Sequence, residues 1–216
     1  MNPYSKHFLI LLSVIAFAFT ANAQIQSITT SALEIKVVSR FEAVYADNGT
    51  GADLDLSTWK PLVNSGFYAL GHYAKEGYGA PNAQMLSVRA IDPSAVRHPV
   101  DYRKVYGDHG TGGDQDGAFW EPIAPAGYVA LGTVATRSYE KPSVKEVVCI
   151  RKDLVRRVSV GGQIWNDRGS GGDMDISLWN LGMGDECNTL LSNSFFAFSQ
   201  YYQPSEATTA FGIIIP

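Results

Sequence analysis

Cysteine, positive charge and helical periodicity are the three things this 216-residue chain has least of. Its two cysteines, Cys149 and Cys187, exclude a disulfide scaffold and any cysteine-rich metal site. They leave two readings open. In an oxidising compartment, closing the 38-residue interval stabilises by roughly 4 kcal/mol in the chain-entropy model. Alternatively Cys149, in the apolar run VVCI, is a buried free thiol. Lys and Arg number 17 against 21 Asp and Glu. The nearest thing to a basic patch is Arg151-Lys152 with Arg156-Arg157, too small to displace phosphate counterions, so nucleic acid is excluded as a partner. Beyond the N-terminal segment the histidines are His72, His98 and His109, and there is no HExxH, GxSxG or CxxC. The remaining enzyme alternative is a hydrolase that uses paired carboxylates. Past the N-terminus no stretch keeps a helical apolar period for three turns.

The first residues, MNPYSKHFLILLSVIAFAFTANA, combine Lys6, an apolar run from Phe8 to Phe19 and a small-x-small site at Ala21-Asn22-Ala23. This predicts a signal peptide over residues 1–23, because the run is shorter than the ~20 residues of a membrane-spanning helix. The expectation is a secreted or periplasmic protein, with residues 24–216 forming one domain.

What is present is one loop written three times: DNGTGADLD from Asp47, DHGTGGDQD from Asp108 and DRGSGGDMD from Asp167. The copies stand 61 and 59 residues apart, and each reaches a tryptophan four residues after its last Asp. A fixed period means three homologous units, expected at about 35–92, 97–155 and 158–216. An alternating strand precedes each loop (FEAVYAD, YRKVYGD, GGQIWND), and an aromatic strand follows the Trp (GFYALGHY, GYVALGTV, SFFAFSQY). With MLSVRAID and VVCIRKDLV as further matching strands, a unit reads as about four strands of an all-β domain. Units of this size do not bury a hydrophobic face alone, and sharing a core around a pseudo-threefold axis predicts a β-prism, with a β-trefoil as the alternative. On this alignment the third unit carries eight extra residues between Trp179 and SFFAF. The apolar end FGIIIP is expected to pair near Ile35 to Val38 and close the ring.

The loops are the candidate chemistry. Asp47, Asp53 and Asp55, then Asp108, Asp114 and Asp116, then Asp167, Asp173 and Asp175, set three carboxylates on a glycine-rich backbone in each copy. Hard oxygen donors suit Ca²⁺, which takes about six to eight of them at roughly 2.3–2.6 Å. The competing reading is structural: Asp at a turn start bonds its own backbone, and DNG is an ordinary hairpin signal. Trp59, Trp120 and Trp179 read as core aromatics, with a ligand-stacking platform as the alternative, and Tyr68, Tyr128 and Phe196 read as core.

The ordered motifs W-x-P, GF/GY-x-x-LG, EKP and VxCxRxDL, spread over Arg40 to Val155, resemble the vacuolar protein sorting-associated protein 62 family. That family includes plant proteins of unknown function. The resemblance implies a fold akin to the β-prism of multivesicular-body-associated proteins and of some pore-forming toxins, where it targets membranes. It assigns no role to the Asp loops. The combined expectation is a non-catalytic binding module, recognising a carbohydrate or membrane surface through its three loops, with Ca²⁺ as the candidate ion. The alternative is a structural or toxin-associated component that acts with an unidentified protein.

Overall fold

The computed structural model describes residues 27–182, 188–205 and 210–215. The expected signal peptide and Cys187 lie outside these residues, and with Cys187 the proposed bridge. Cys149 is buried, and burial pushes its thiol up to about 12.

The described chain is all-β, interrupted by a single 3-10 turn at Lys152–Leu154. Short runs rich in Val, Ile, Tyr, Phe and Trp alternate with Gly, Pro and Asp turns, and each run forms a strand of two to seven residues. The strands make six open sheets, two from each repeat. In the first repeat one sheet holds Phe41–Ala46, Leu56–Pro61 and Tyr73–Glu76, with the Asp47 loop joining the first two strands. Its companion sheet orders Ser27–Thr29, Leu33–Val38, Met85–Ala90 and Tyr68–Ala69. The second repeat repeats the plan with Asp101–Gly107, Ala118–Ile123 and Val134–Thr136, and with Val96–Arg97, Cys149–Arg151 and Tyr128–Val129. The third uses Val160–Asn166, Ser177–Leu181 and Phe196–Phe198, and Val155–Val158, Ala210–Ile214 and Thr189–Leu190.

Three expectations change. A unit has six short strands, with Ser27–Thr29 a seventh in the first, not four: the stretch after each Trp forms two strands, one in each sheet of its repeat, and the companion sheet gains a strand ahead of the loop-bearing sheet. The break in that stretch falls at Gly71 and Gly132, with Ser194 at the matching place in the third repeat. A Cβ on Gly132 would stand 2.3 Å from Ser194 Cβ, and one on Gly71 would stand 3.0 Å from Gly132 Cα. The chain passes from sheet to sheet where the three repeats touch, and only minimal side chains fit there.

The strand pairs also reset the third repeat's alignment. Trp59 faces Tyr73, Trp120 faces Val134 and Trp179 faces Phe196, separations of 14, 14 and 17 residues. The excess in the third repeat is three residues rather than eight. Phe196 is therefore the counterpart of Tyr73 and Val134, while Tyr68 and Tyr128 lie in the companion sheets.

The last strand does not pair with Leu33–Val38, whose neighbours are Ser27–Thr29 and Met85–Ala90. Ala210–Ile214 instead runs antiparallel between Val155–Val158 and Thr189–Leu190. It fills the central place that Met85–Ala90 and Cys149–Arg151 hold in the other companion sheets. Its apolar sequence fits that centre, with Ala210 and Ile213 fully enclosed.

Each set of sheets encloses its own core. The companion sheets bury Leu33, Ile35, Val88, Ile150 and Ile213 around Leu70 and Leu131. The loop-bearing sheets bury Tyr45, Tyr106 and Trp165 with Phe119 and Phe195. In each repeat the strand before the loop carries a bulge at the same place, opposite the Trp. The bulge lets two successive side chains, Val44 and Tyr45, Val105 and Tyr106, or Ile164 and Trp165, both reach that core. Between the two cores runs a closed cycle of backbone hydrogen bonds: His72 N–H to Thr133 O at 2.9 Å, Thr133 N–H to Phe195 O at 2.9 Å, and Phe195 N–H to His72 O at 3.1 Å.

Candidate functional site

The three Asp loops follow one plan. In each, the peptide N–H of the fourth residue bonds the carbonyl of the first: Thr50 to Asp47, Thr111 to Asp108 and Ser170 to Asp167. The third residue of that turn is a glycine at φ +80°, +82° or +87°, in the left-handed region where a Cβ is costly. The hydroxyls of Thr50, Thr111 and Ser170 then accept the N–H two residues on.

Within one loop the three carboxylates serve three different purposes. The first is buried and closes the loop neck: Oδ1 of Asp47, Asp108 and Asp167 accepts the N–H of Leu56, Gly117 and Ile176 at 2.7, 3.1 and 3.0 Å. Burial raises the carboxyl pKa of Asp47 and Asp167, while that backbone donor draws it down.

The second carboxylate sits on the neighbouring loop. Asp53 N–H donates to Arg168 O at 2.7 Å, Asp173 N–H to His109 O at 3.0 Å, and Asp114 N–H to Asn48 O at 2.8 Å. These bonds form a second closed cycle and gather the three loops into one cluster. The approach is tight. A Cβ on Gly49, Gly110 or Gly169 would come within 2.7–2.9 Å of Oδ1 of Asp114, Asp173 or Asp53. Each of these glycines thus serves its own turn and the loop beside it.

The third carboxylate is exposed and receives a phenol. Tyr78 donates to Asp55 at 3.0 Å, Tyr201 to Asp175 at 2.9 Å, and Tyr139 to Asp116 at 3.2 Å and to Asp108 at 2.7 Å. Desolvation first, then the bonded carboxylate, pushes all three phenols above their ordinary range and keeps them neutral donors. The Tyr78 turn is fixed to its loop by Gly77 N–H, which bonds Asp55 O at 2.9 Å.

These tyrosines were missed by the sequence reading. They follow the last Asp of their loops by 23, 23 and 26 residues, so the repeat period itself points to them once the three-residue excess is placed.

The nine aspartates therefore do not converge three by three. Among the described residues no three His, Cys, Asp or Glu side chains come together as a metal-ligand set. The loops instead gather six exposed carboxylates, Asp53, Asp55, Asp114, Asp116, Asp173 and Asp175, around the cluster.

Trp120 and Trp179 are buried and Trp59 is half-buried. Their indole N–H groups donate to Thr136, Ser177 and Ser57 hydroxyls at 2.9, 2.7 and 3.0 Å. The Lys104 ammonium lies 5.8 Å from the Trp120 ring centre.

One other polar cluster is enclosed. His72, 2% exposed, accepts Ala135 N–H at Nδ1 (3.2 Å) and donates from Nε2 to Glu146 Oε1 (3.1 Å). Lys60 Nζ meets the same oxygen at 2.5 Å. The His72 bond, against some burial and with Lys60 in support, holds the Glu146 carboxyl at about 2. Burial lowers the His72 pKa. Both imidazole nitrogens are engaged, which leaves this histidine no free lone pair for base chemistry.

The chain shares its fold with GNIP1Aa from Chromobacterium piscinae, with a TM-score of 0.75 at 24% identity. The likeness covers 85% of this chain and 37% of that one, so the chain spans little more than a third of the GNIP1Aa length. No curated protein matches it. The family model for vacuolar protein sorting-associated protein 62 matches residues 7–212, nearly the whole sequence, and the chain belongs to that family.

Proposed function

We propose that this protein is a non-catalytic carbohydrate-binding module built as a β-prism, exported to the periplasm or the outside, with its loop cluster as the recognition face. Two closed cycles of hydrogen bonds, each passing once through every repeat, support a threefold arrangement. Six open sheets, none forming a barrel wall common to the repeats, favour a prism over a trefoil. The apolar run Phe8–Phe19 supports export.

One observation carries the carbohydrate reading: each repeat presents an exposed carboxylate fixed beside a tyrosine by a hydrogen bond to its hydroxyl, and the loop cycle gathers the three pairs together. Carboxylates accept from sugar hydroxyls, and aromatic rings cover the apolar face of a pyranose. A bare anionic bilayer is the weaker partner. Six exposed carboxylates repel it, and Arg168 is the one Lys or Arg in the three loops. Ca²⁺ is not needed for this mode, in which the exposed carboxylates accept directly from sugar hydroxyls.

A glycan array and liposomes, each with and without Ca²⁺, test the reading with the residue 24–216 protein. Glycan binding is expected without Ca²⁺, at least about tenfold weaker in the triple variant Asp55→Asn/Asp116→Asn/Asp175→Asn. Absence of glycan binding, or binding indifferent to the triple variant, sinks it. Binding to anionic liposomes alone, and only with Ca²⁺, would make the loops a calcium-bridged membrane site.

A role beside a partner protein is the second reading. It is supported by the matched fold occupying only 37% of the GNIP1Aa chain, where further structure accompanies it.

A further inference from the structure

The three Asp–Tyr pairs are equivalent in position and not in access. The difference lies in the residue that follows the first Asp of each loop: Asn48, His109 and Arg168. In the second repeat the His109 imidazole stacks on Tyr139, with ring centres 3.6 Å apart and planes 23° from parallel. Lys104 adds its ammonium 5.6 Å from the same ring centre. In the third repeat the Arg168 guanidinium lies 4.6 Å from the centre of the Tyr201 ring. In the first repeat Asn48 is too short and too polar to cover a ring, and among the described residues no ring or cation stands over Tyr78. Tyr78 is 40% exposed, whereas Tyr139 and Tyr201 are half-buried.

Resting on the carbohydrate reading above, we infer that the chain carries one open sugar subsite, in the first repeat, and two that are filled by their own side chains. Tyr78 supplies the platform for the C–H face of a neutral pyranose. The exposed Asp55 carboxylate, oriented by the Tyr78 hydroxyl, accepts from sugar hydroxyls, and the Asn48 amide lies within the same loop to donate to ring or hydroxyl oxygens. His109 and Arg168 occupy in their repeats the face that the sugar takes in the first. A cation over a tyrosine ring is attracted to its face even at an exposed site, which disfavours displacement by a weakly bound monosaccharide. The preference for a neutral sugar follows from the carboxylates, which repel uronic and sialic acids.

The test uses the residue 24–216 protein, with methyl α-D-mannopyranoside, methyl β-D-galactopyranoside and N-acetylglucosamine as probes and saturation-transfer NMR and calorimetry as readouts. One site per chain is expected for the sugar that binds. Tyr78→Ala and Asn48→Arg should weaken it at least about tenfold, the second by placing over Tyr78 the group that covers Tyr201. Tyr139→Ala and Tyr201→Ala should change it less than about twofold, and Arg168→Asn should add a second site. Tyr78 is exposed and Asn48 half-buried, so loss of binding with an unchanged thermal midpoint reports the site and not the fold. Three sites in the parent protein, or binding indifferent to Tyr78→Ala and Asn48→Arg, overturns the inference and leaves the carbohydrate reading standing. No binding of any probe, together with a blank glycan array, overturns both.

Discussion

Asp47, Asp108 and Asp167 show how a residue type that reads as a ligand becomes part of the frame. Each is buried and its carboxylate holds a backbone N–H nine residues on, closing the neck of its loop together with the bond from its own N–H to the carbonyl of the same residue. The tripled Asp pattern was legible in the sequence, and so was the alternative between ion and turn. The division of labour within a loop was not, because it depends on the neighbouring loop and on a tyrosine more than twenty residues away. Glu146 was equally illegible, being a single acid in a polar stretch that the fold brings to His72, 74 residues distant. It makes a pH prediction. Its folded pKa of about 2 lies below the ordinary 4.5, so the stability it contributes is complete above that value and is lost as pH falls from about 4.5 to about 2. His72, buried and neutral with a lowered pKa, acts in the same direction, its share being lost as pH falls below 6.5. Glu146→Gln should cost about 1–3 kcal/mol at pH 7 and flatten the stability profile between pH 4.5 and 2, read from urea midpoints at several pH values. An acid limb as steep as the parent's would show that Glu146 is not its source.

At the scale of elements, the all-β class and the strands beside each loop were legible from period-two alternation, and the corrections concern strands of five residues or fewer. LGHY and LGTV read as continuous strand because glycine inside a strand is tolerated. Gly71 and Gly132 in fact mark the crossing between sheets, where backbones of different repeats meet. The terminal strand was misassigned because its apolar sequence specifies burial without specifying a neighbour. The crossing makes an asymmetric prediction about three equivalent positions. Gly132→Ala would bring its Cβ to 2.3 Å from Ser194 Cβ, with no flexible end to move aside, and should destabilise by about 3 kcal/mol or more. Ser194→Ala removes a buried hydroxyl oxygen that has no hydrogen-bond partner and should be neutral or stabilising by up to about 1 kcal/mol. Thermal unfolding of the two variants decides it, and equal destabilisation of both would count against the crowded crossing.

At the scale of the whole molecule, the three repeats are bound in cycles, so no repeat is peripheral. His72, Thr133 and Phe195 form one cycle, and the Asp53, Asp114 and Asp173 peptides form the other. Removing any repeat opens both. Truncation at Ser205 removes Ala210–Ile214, the central strand of its sheet, and should cost about 5 kcal/mol or more, comparable to the stability of an ordinary domain. The expected result is loss of the cooperative thermal transition; a transition within about 5 °C of the parent's would mean that the last repeat is dispensable.

The ring of Tyr45 lies where a side chain on Gly117 would have to go, with only 2.2 Å between Tyr45 Cδ2 and a Cβ there. The corresponding positions of the other repeats hold Leu56 and Ile176. The copies began as synonyms and have become words with a grammar. The first has the second one's shape written into it, so their order carries meaning that no copy holds alone. A chain spelled with its second and third repeats exchanged would keep every residue and every motif, and would set Ile176 beneath Tyr45 with no room for it.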